Sequence, residues 1–357
     1  MSGPSRLEDI PFRETLADEP QVPALANVFA SDDELRAAAR LYWLRHTKAG
    51  VLNTVFHQLL SFCPSSFVSN FGEWLVPSAR RSYRHKIFPK RIERNFKALT
   101  AGLWRTPEEQ ELGLDRWWIN IGRTISEFCI VNRLWRESRI EVEGLEHLQA
   151  VQESGGVPIF VSMHLATWEA LFVAIHTHLA GPSIGPFQPE TNRFKNRIVH
   201  AIRKQRNQYL FPPGQKSAYR LRRLMATRQY SMTIFIDEVR DKQVHVPLFG
   251  RKPPGRGNVV VAAKIANICD GTLLPTYLTR TGPARFKLTI LPAVPKTGEQ
   301  QHYDIPETVL SLNKVFEPIV LDRIEEWYML GELRLPGNFD KSPYAQALAA
   351  RYQQSVA

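Results

Sequence analysis

Three cysteines in 357 residues, Cys63, Cys129 and Cys269, are too few and too oddly numbered for a disulfide framework, and they lack metal-ligand spacing. Reduced thiols in a cytosolic setting are the expectation. No apolar run approaches the roughly 18 to 20 residues that span a bilayer, and the N-terminus has no signal-peptide apolar core. If a membrane is involved, the chain is expected to lie on it. The glycine spacing of Walker and Rossmann loops is also missing, although Gly250, Pro253, Pro254, Gly255 and Gly257 form an irregular loop where backbone could approach a ligand. Acidic residues are absent between Glu190 and Asp237, while eleven Arg and Lys residues collect from Arg193 to Arg228.

What is present is ordinary globular composition, 43% hydrophobic and 23% charged, which excludes wholesale disorder. A net charge of +11 asks for an anionic partner, and nucleic acid, phospholipid headgroups and an acidic carrier protein would all answer it. The acid-free tract could hold phosphates by charge-assisted hydrogen bonds. Because it shows no recognised nucleic-acid fold and no interleaved stacking platform, nucleic acid is not expected as a partner.

The chemistry is expected at Val157 to Glu169, VPIFVSMHLATWE, where a buried-strand pattern ends at His164 and Glu169 follows five positions on. On a regular helix the two would point about 140° apart, so they can meet only if a strand gives way to a turn and a helix between them. The carboxylate could then hold one imidazole nitrogen and leave the other to take a proton. Spacing alone is cheap: His302 and Glu307 repeat it around Pro306 without any apolar strand leading in.

Along the chain, residues 1–30 read as a loose leader. Residues 31–137 read as a helical, membrane-associating region. Within it, Ser31 and Glu34 have capping-box spacing at the head of a helix that Gly50 would close, and Pro107 to Glu109 mark another helix start. From 51 to 91, Phe56, Phe62, Phe67 and Trp74 precede Arg80, Arg81, Arg84, Lys86, Lys90 and Arg91, a pairing that suits a membrane surface or, equally, a core hairpin with a solvated basic flank. Residues 138–335 read as the core and 336–357 as a tail. Strand patterns at Ile140 and Val142, Ile159–Met163, Met232–Ile236, Val244–Phe249, Leu273–Leu278 and Phe286–Leu291 alternate with helical ones at Trp168–Leu179, Phe194–Gln205, Ser217–Thr227 and Val259–Ile268. The expected fold is α/β, a mixed, mostly parallel sheet flanked by helices, and in such sheets sites gather beyond the strand ends.

Taken together these segments resemble the bacterial lipid A late acyltransferases, the lauroyl and myristoyl transferases of the lysophospholipid acyltransferase superfamily. The resemblance runs from about Trp43 to Leu330. Four matches carry it in order: His164 to Glu169 with Trp168, Pro189 to Arg206, the strand ending at Asp237, and LFGRKPPGRG leading through a helix to Pro275–Arg280. It implies transfer of a fatty acyl chain from a carrier-protein thioester to a hydroxyl of a lipid A precursor. It also implies peripheral attachment to the cytoplasmic face of the inner membrane. No metal or cofactor is expected, acyl carrier protein or acyl-CoA being the co-substrate.

His164 is then the expected general base and Glu169 its orienter. Asn192, Arg203, Arg206, Lys216, Asp237 and Arg280 are candidate substrate-binding residues. Backbone N–H groups near residue 165 or an arginine of the basic tract are candidate oxyanion donors. The sequence departs from the family pattern in four ways: Ala166-Thr167 for Gly-Asn, Glu238 for Gln, Gln188-Pro189 for Arg-Pro, and no N-terminal spanning helix. Two other functions fit the same residues, a lysophospholipid or other membrane-lipid acyltransferase, and a non-catalytic basic protein of the membrane surface.

Overall fold

The computed structural model describes residues 6–104 and 106–356. Its front is helical. Helix α1 (Asp33–Arg40) runs through a π-helical turn (Leu41–His46) into α2 (Thr47–Ser61), followed by α3 (Ser65–Trp74), α4 (Val76–Tyr83), α5 (Ile87–Leu99), α6 (Pro107–Glu127) and the short α7 (Val131–Leu134). Asp32 rather than Ser31 caps α1, its carboxylate accepting the Leu35 N–H at 2.8 Å. Gly50 does not end the helix. It lies inside α2 because Phe194 packs there, within 2.3 Å of where a Cβ would stand, so glycine is required for the close approach. Pro107 does open α6, with Thr106 as its cap, and Trp117, Trp118 and Ile121 are buried while Ile125 faces outward.

Helices α3 and α6 cross at two glycines. A Cβ on Gly72 would stand 2.3 Å from the Gly122 carbonyl oxygen, and one on Gly122 would stand 2.5 Å from the Gly72 oxygen. Alanine favours a helix over glycine by about 1 kcal/mol. Overpacking against backbone costs about 1–3 kcal/mol. Gly72→Ala is therefore expected to lower the urea midpoint despite its better helix propensity, and a raised midpoint would refute this account of the crossing.

Behind the helices stands a seven-stranded sheet in the order β1-β9-β8-β2-β5-β3-β4, formed by β1 (Ile140–Glu143), β2 (Val157–Ser162), β3 (Ser183–Pro186), β4 (Leu210–Phe211), β5 (Ser231–Phe235), β8 (Gly271–Gly282) and β9 (Arg285–Ile290). Only β8 and β9 pair antiparallel; every other neighbour is parallel. The sheet is mixed and mostly parallel, as the alternating pattern implied. A two-stranded ribbon, β6 (Val239–Arg240) with β7 (Gln243–Val244), stands apart.

Helices α8 (Leu145–Glu153), α9 (Trp168–Ala174), α10 (Arg193–Gln205), α11 (Gln215–Ala226), α12 (Asn258–Cys269) and α13 (Ile305–Asp322) flank the sheet. Strand β2 is apolar from Val157 to Val161 because both of its faces are covered. Ile159, Val161 and Met163 join one core with α11, α12 and α13, while Phe160 joins a second with α9 and β9.

Three expectations need correcting. Val244–Phe249 is not a strand beyond Val244. Pro247 has no N–H for a ladder, and the N–H groups of Leu248 and Phe249 donate to Asn313 and Glu317 side chains at 2.7 Å. The described part of the expected 336–357 tail is packed, since α14 (Pro343–Val356) sets Tyr344 against Phe249 and bonds its hydroxyl to Glu317 at 2.9 Å. The leader is not loose over its described part. Tyr230 accepts the Leu7 N–H, the Tyr209 hydroxyl donates to the Ile10 carbonyl, Glu14 pairs with Lys216 and Arg220, and Glu19 pairs with Arg197.

Candidate active site

Strands β2 and β5 lie side by side with Ser162 opposite Phe235. Two residues beyond each end stand His164 and Asp237, so adjacent parallel strands deliver both to one point. Asp237 Oδ1 lies 2.7 Å from His164 Nδ1. Its Oδ2 accepts the His164 backbone N–H at 2.9 Å and the Trp327 Nε1–H at 2.9 Å. A fully buried carboxylate receiving three donors is well compensated for losing water.

An ionised carboxylate on Nδ1 keeps the proton there and leaves the lone pair on Nε2. Nε2 has no hydrogen-bond partner among the described residues, and the ring is 17% exposed. Phe235 at 4.4 Å and Trp168 at 5.2 Å wall the imidazole, with Tyr328 packed on Trp168 at 4.7 Å.

The turn from His164 to Thr167 is held by the segment before Tyr328. Leu165 bridges Trp327, Tyr328 N–H donates to the His164 carbonyl at 2.9 Å, and Ala166 N–H donates to the Glu326 carbonyl at 3.2 Å. Ala166 sits at φ 47°, a left-handed conformation that costs an L-residue roughly 1–2 kcal/mol. Glycine, the usual residue here in the family the sequence resembles, would not be strained. Thr167 donates to Glu127 and receives Arg280 at 3.2 Å, while Arg280 Nη1 reaches Glu127 at 2.6 Å.

Glu169 is not the orienter of His164. Its buried carboxylate is clamped by Arg203 through Nε at 3.1 Å and Nη2 at 3.0 Å, and by Arg206 Nη2. Burial alone would raise the Glu169 carboxyl, but the two guanidinium groups override it and hold it at about 2. Arg206 also reaches Asn132 and Gln208, each at 2.7 Å. Helix α9 therefore turns Glu169 toward α10, whereas the acid that serves His164 comes from the neighbouring strand.

The remaining candidates separate. Arg203 and Arg206 meet at Glu169, and Arg203 also lies over Phe172, which packs on Phe235 beside His164. Arg280 supports the Thr167 turn. Asn192 caps α10 by accepting the Phe194 N–H at 2.9 Å, and Lys216 is paired with Glu14 away from these groups. Of the expected oxyanion donors, Leu165 N–H is committed to the Met163 carbonyl and Ala166 N–H to the Glu326 carbonyl, and Arg203 and Arg206 are paired with Glu169. The glycine loop ends where Glu238 accepts the Asn258 N–H at 2.7 Å, and burial pushes that carboxyl up to about 7.

Sequence reasoning passed over Trp327, Glu127 and Glu326. Asp237 had a readable signal, the end of a second buried strand, but was assigned to substrate. Among the described residues, no three His, Cys, Asp or Glu side chains gather where a metal ion could sit. An imidazole with one nitrogen fixed by a buried carboxylate and the other open can remove a proton from a hydroxyl.

No curated protein matches the chain. The family model described as bacterial lipid A biosynthesis acyltransferase matches residues 39–334.

Proposed function

Because the chain belongs to the bacterial lipid A biosynthesis acyltransferase family, we propose that it moves a fatty acyl group from an acyl-carrier-protein thioester to a hydroxyl of a lipid A precursor. His164 Nε2 takes the hydroxyl proton as the oxygen attacks the thioester carbonyl. The C–O bond forms, the C–S bond breaks, and the departing thiolate recovers the proton from the imidazolium. No acyl-enzyme intermediate is required, and the thioester supplies the activation, so no cofactor is invoked. The observation that carries this reading is the His164 ring, held at Nδ1 by Asp237 and open at Nε2.

The test is mass spectrometry of products from the purified enzyme, lauroyl or myristoyl carrier protein, and either a lipid A precursor or a lysophospholipid. One added acyl chain on the precursor is the expected result. Acylation of the lysophospholipid alone would overturn the acceptor, and transfer to neither would overturn the function.

Peripheral attachment to the cytoplasmic face of the inner membrane belongs to the same proposal. No described helix is long and apolar enough to cross a membrane. Support comes from the helical front, where Phe62 is 84% and Trp74 73% exposed beside Phe67, with Arg81, Arg84, Lys86 and Lys90 exposed nearby. Apolar insertion and headgroup attraction would reinforce each other there. Replacing Phe62, Phe67 and Trp74 together with alanine is expected to weaken flotation with anionic vesicles at least about a hundredfold. Unchanged flotation would sink the assignment.

A further inference from the structure

We infer that Trp327 is a positioning residue for the transfer reaction, holding Asp237 in the rotamer that keeps His164 a base. The inference rests on the His164 reading above. Asp237 must place Oδ1 on the imidazole while Oδ2 faces the opposite way, and two donors hold Oδ2, the His164 backbone N–H and the Trp327 indole N–H. The first of these moves with His164 itself. The indole is the external reference, and its own place is set twice, by the Trp117 indole donating to the Trp327 carbonyl at 2.8 Å and by the bridge to Leu165. Trp327 is fully buried, its ring edge-on to Phe249 at 5.8 Å, and its side chain meets the site through the indole N–H on Asp237, while its backbone is bridged to Leu165 beside His164.

Without the indole donor, Oδ2 keeps one hydrogen bond, the carboxylate can turn, and its charge is less dispersed. A less dispersed charge pulls harder on Nδ1–H and stabilises the imidazolium. The base is then protonated over a wider range of acidic pH. Burial pushes the carboxyls of Glu238, adjacent to Asp237, and Glu326, adjacent to Trp327, up to about 7, in the same region, so the informative quantity is the difference between variant and parent profiles.

The experiment is steady-state transfer from lauroyl carrier protein to a lipid A precursor across pH 5 to 9 with Trp327→Phe. A second variant carries benzothienylalanine at position 327, which keeps the ring outline and replaces N–H by sulfur. Both are expected to lower kcat about tenfold with KM unchanged, and to move the acid limb of the profile to higher pH. Parent-like kcat in the sulfur variant would overturn the inference. So would a loss of rate with no movement of the acid limb, since a merely structural residue lowers the active fraction and leaves the profile in place. His164→Ala runs alongside: if it keeps full activity the general-base reading fails, whereas if it is inactive and the Trp327 variants are normal, only the role of Trp327 fails.

Discussion

Asp237→Asn is expected to reduce acyl transfer by about 10²- to 10⁴-fold, the same order as His164→Ala, because a positioned base is worth that much and requires one tautomer. Asparagine presents one acceptor and one donor to a site that offers three donors. If its amide NH2 faces the His164 and Trp327 N–H groups, donors meet donors. If it flips, the amide donates to Nδ1, the proton moves to Nε2, and the lone pair that would take the acceptor's proton is lost. Either outcome disables the base, and steady-state transfer by the folded variant measures it. Asp237→Asn activity within threefold of the parent would show that the carboxylate does not orient His164.

Glu169→Gln carries the second large effect, and it falls on stability. The substitution leaves Arg203 and Arg206 buried without a counter-charge, and breaking such a group by removing one partner costs about 3–5 kcal/mol. The parent's advantage depends on pH with a definite sign. Glu169 is held at about 2 against an ordinary 4.5, so its contribution is complete above the unfolded value and is lost as pH falls through the folded one. Urea midpoints of parent and variant should differ widely at pH 7 and converge between pH 4.5 and pH 2. A parent-like midpoint at pH 7, with a large loss of kcat, would return Glu169 to the role of orienter.

The two residues show what was legible in the sequence and what was not. The sheet could be read because β2, β5 and the start of β8 are largely apolar over strand length, β9 alternates Phe286, Leu288 and Ile290 with polar residues, and the helices between them have clear faces. His164 could be read because it ends one such run. Its partner was sought five residues away, whereas it lies 73 positions further along, at the end of the adjacent parallel strand. Sequence distance is a poor guide where a crossover separates neighbours in space.

The spacing shared by His164–Glu169 and His302–Glu307 carries no dyad in either place. Glu307 lies in the first turn of α13 with its N–H on Asp304, and His302 is exposed. Helix α13 has no counterpart among the helical patterns read from the sequence, and Pro306, which separates His302 from Glu307, is accommodated in its first turn, where no N–H is needed. Trp327 could not be found from the sequence, since nothing local says which tryptophan indole meets a buried carboxylate.

The family-matched span opens at residue 39, and a truncation there would look natural. It would strip Leu7 and Ile10 from the α11 side of the core, leave the Tyr209 and Tyr230 hydroxyls without their backbone partners, and free Arg220 and Arg197 of Glu14 and Glu19. His164 and Asp237 would remain in the shortened chain, but an apolar seam rimmed by unpaired cations would face water. Poor solubility of that fragment would then report a missing strap and carry no information about the chemistry of His164.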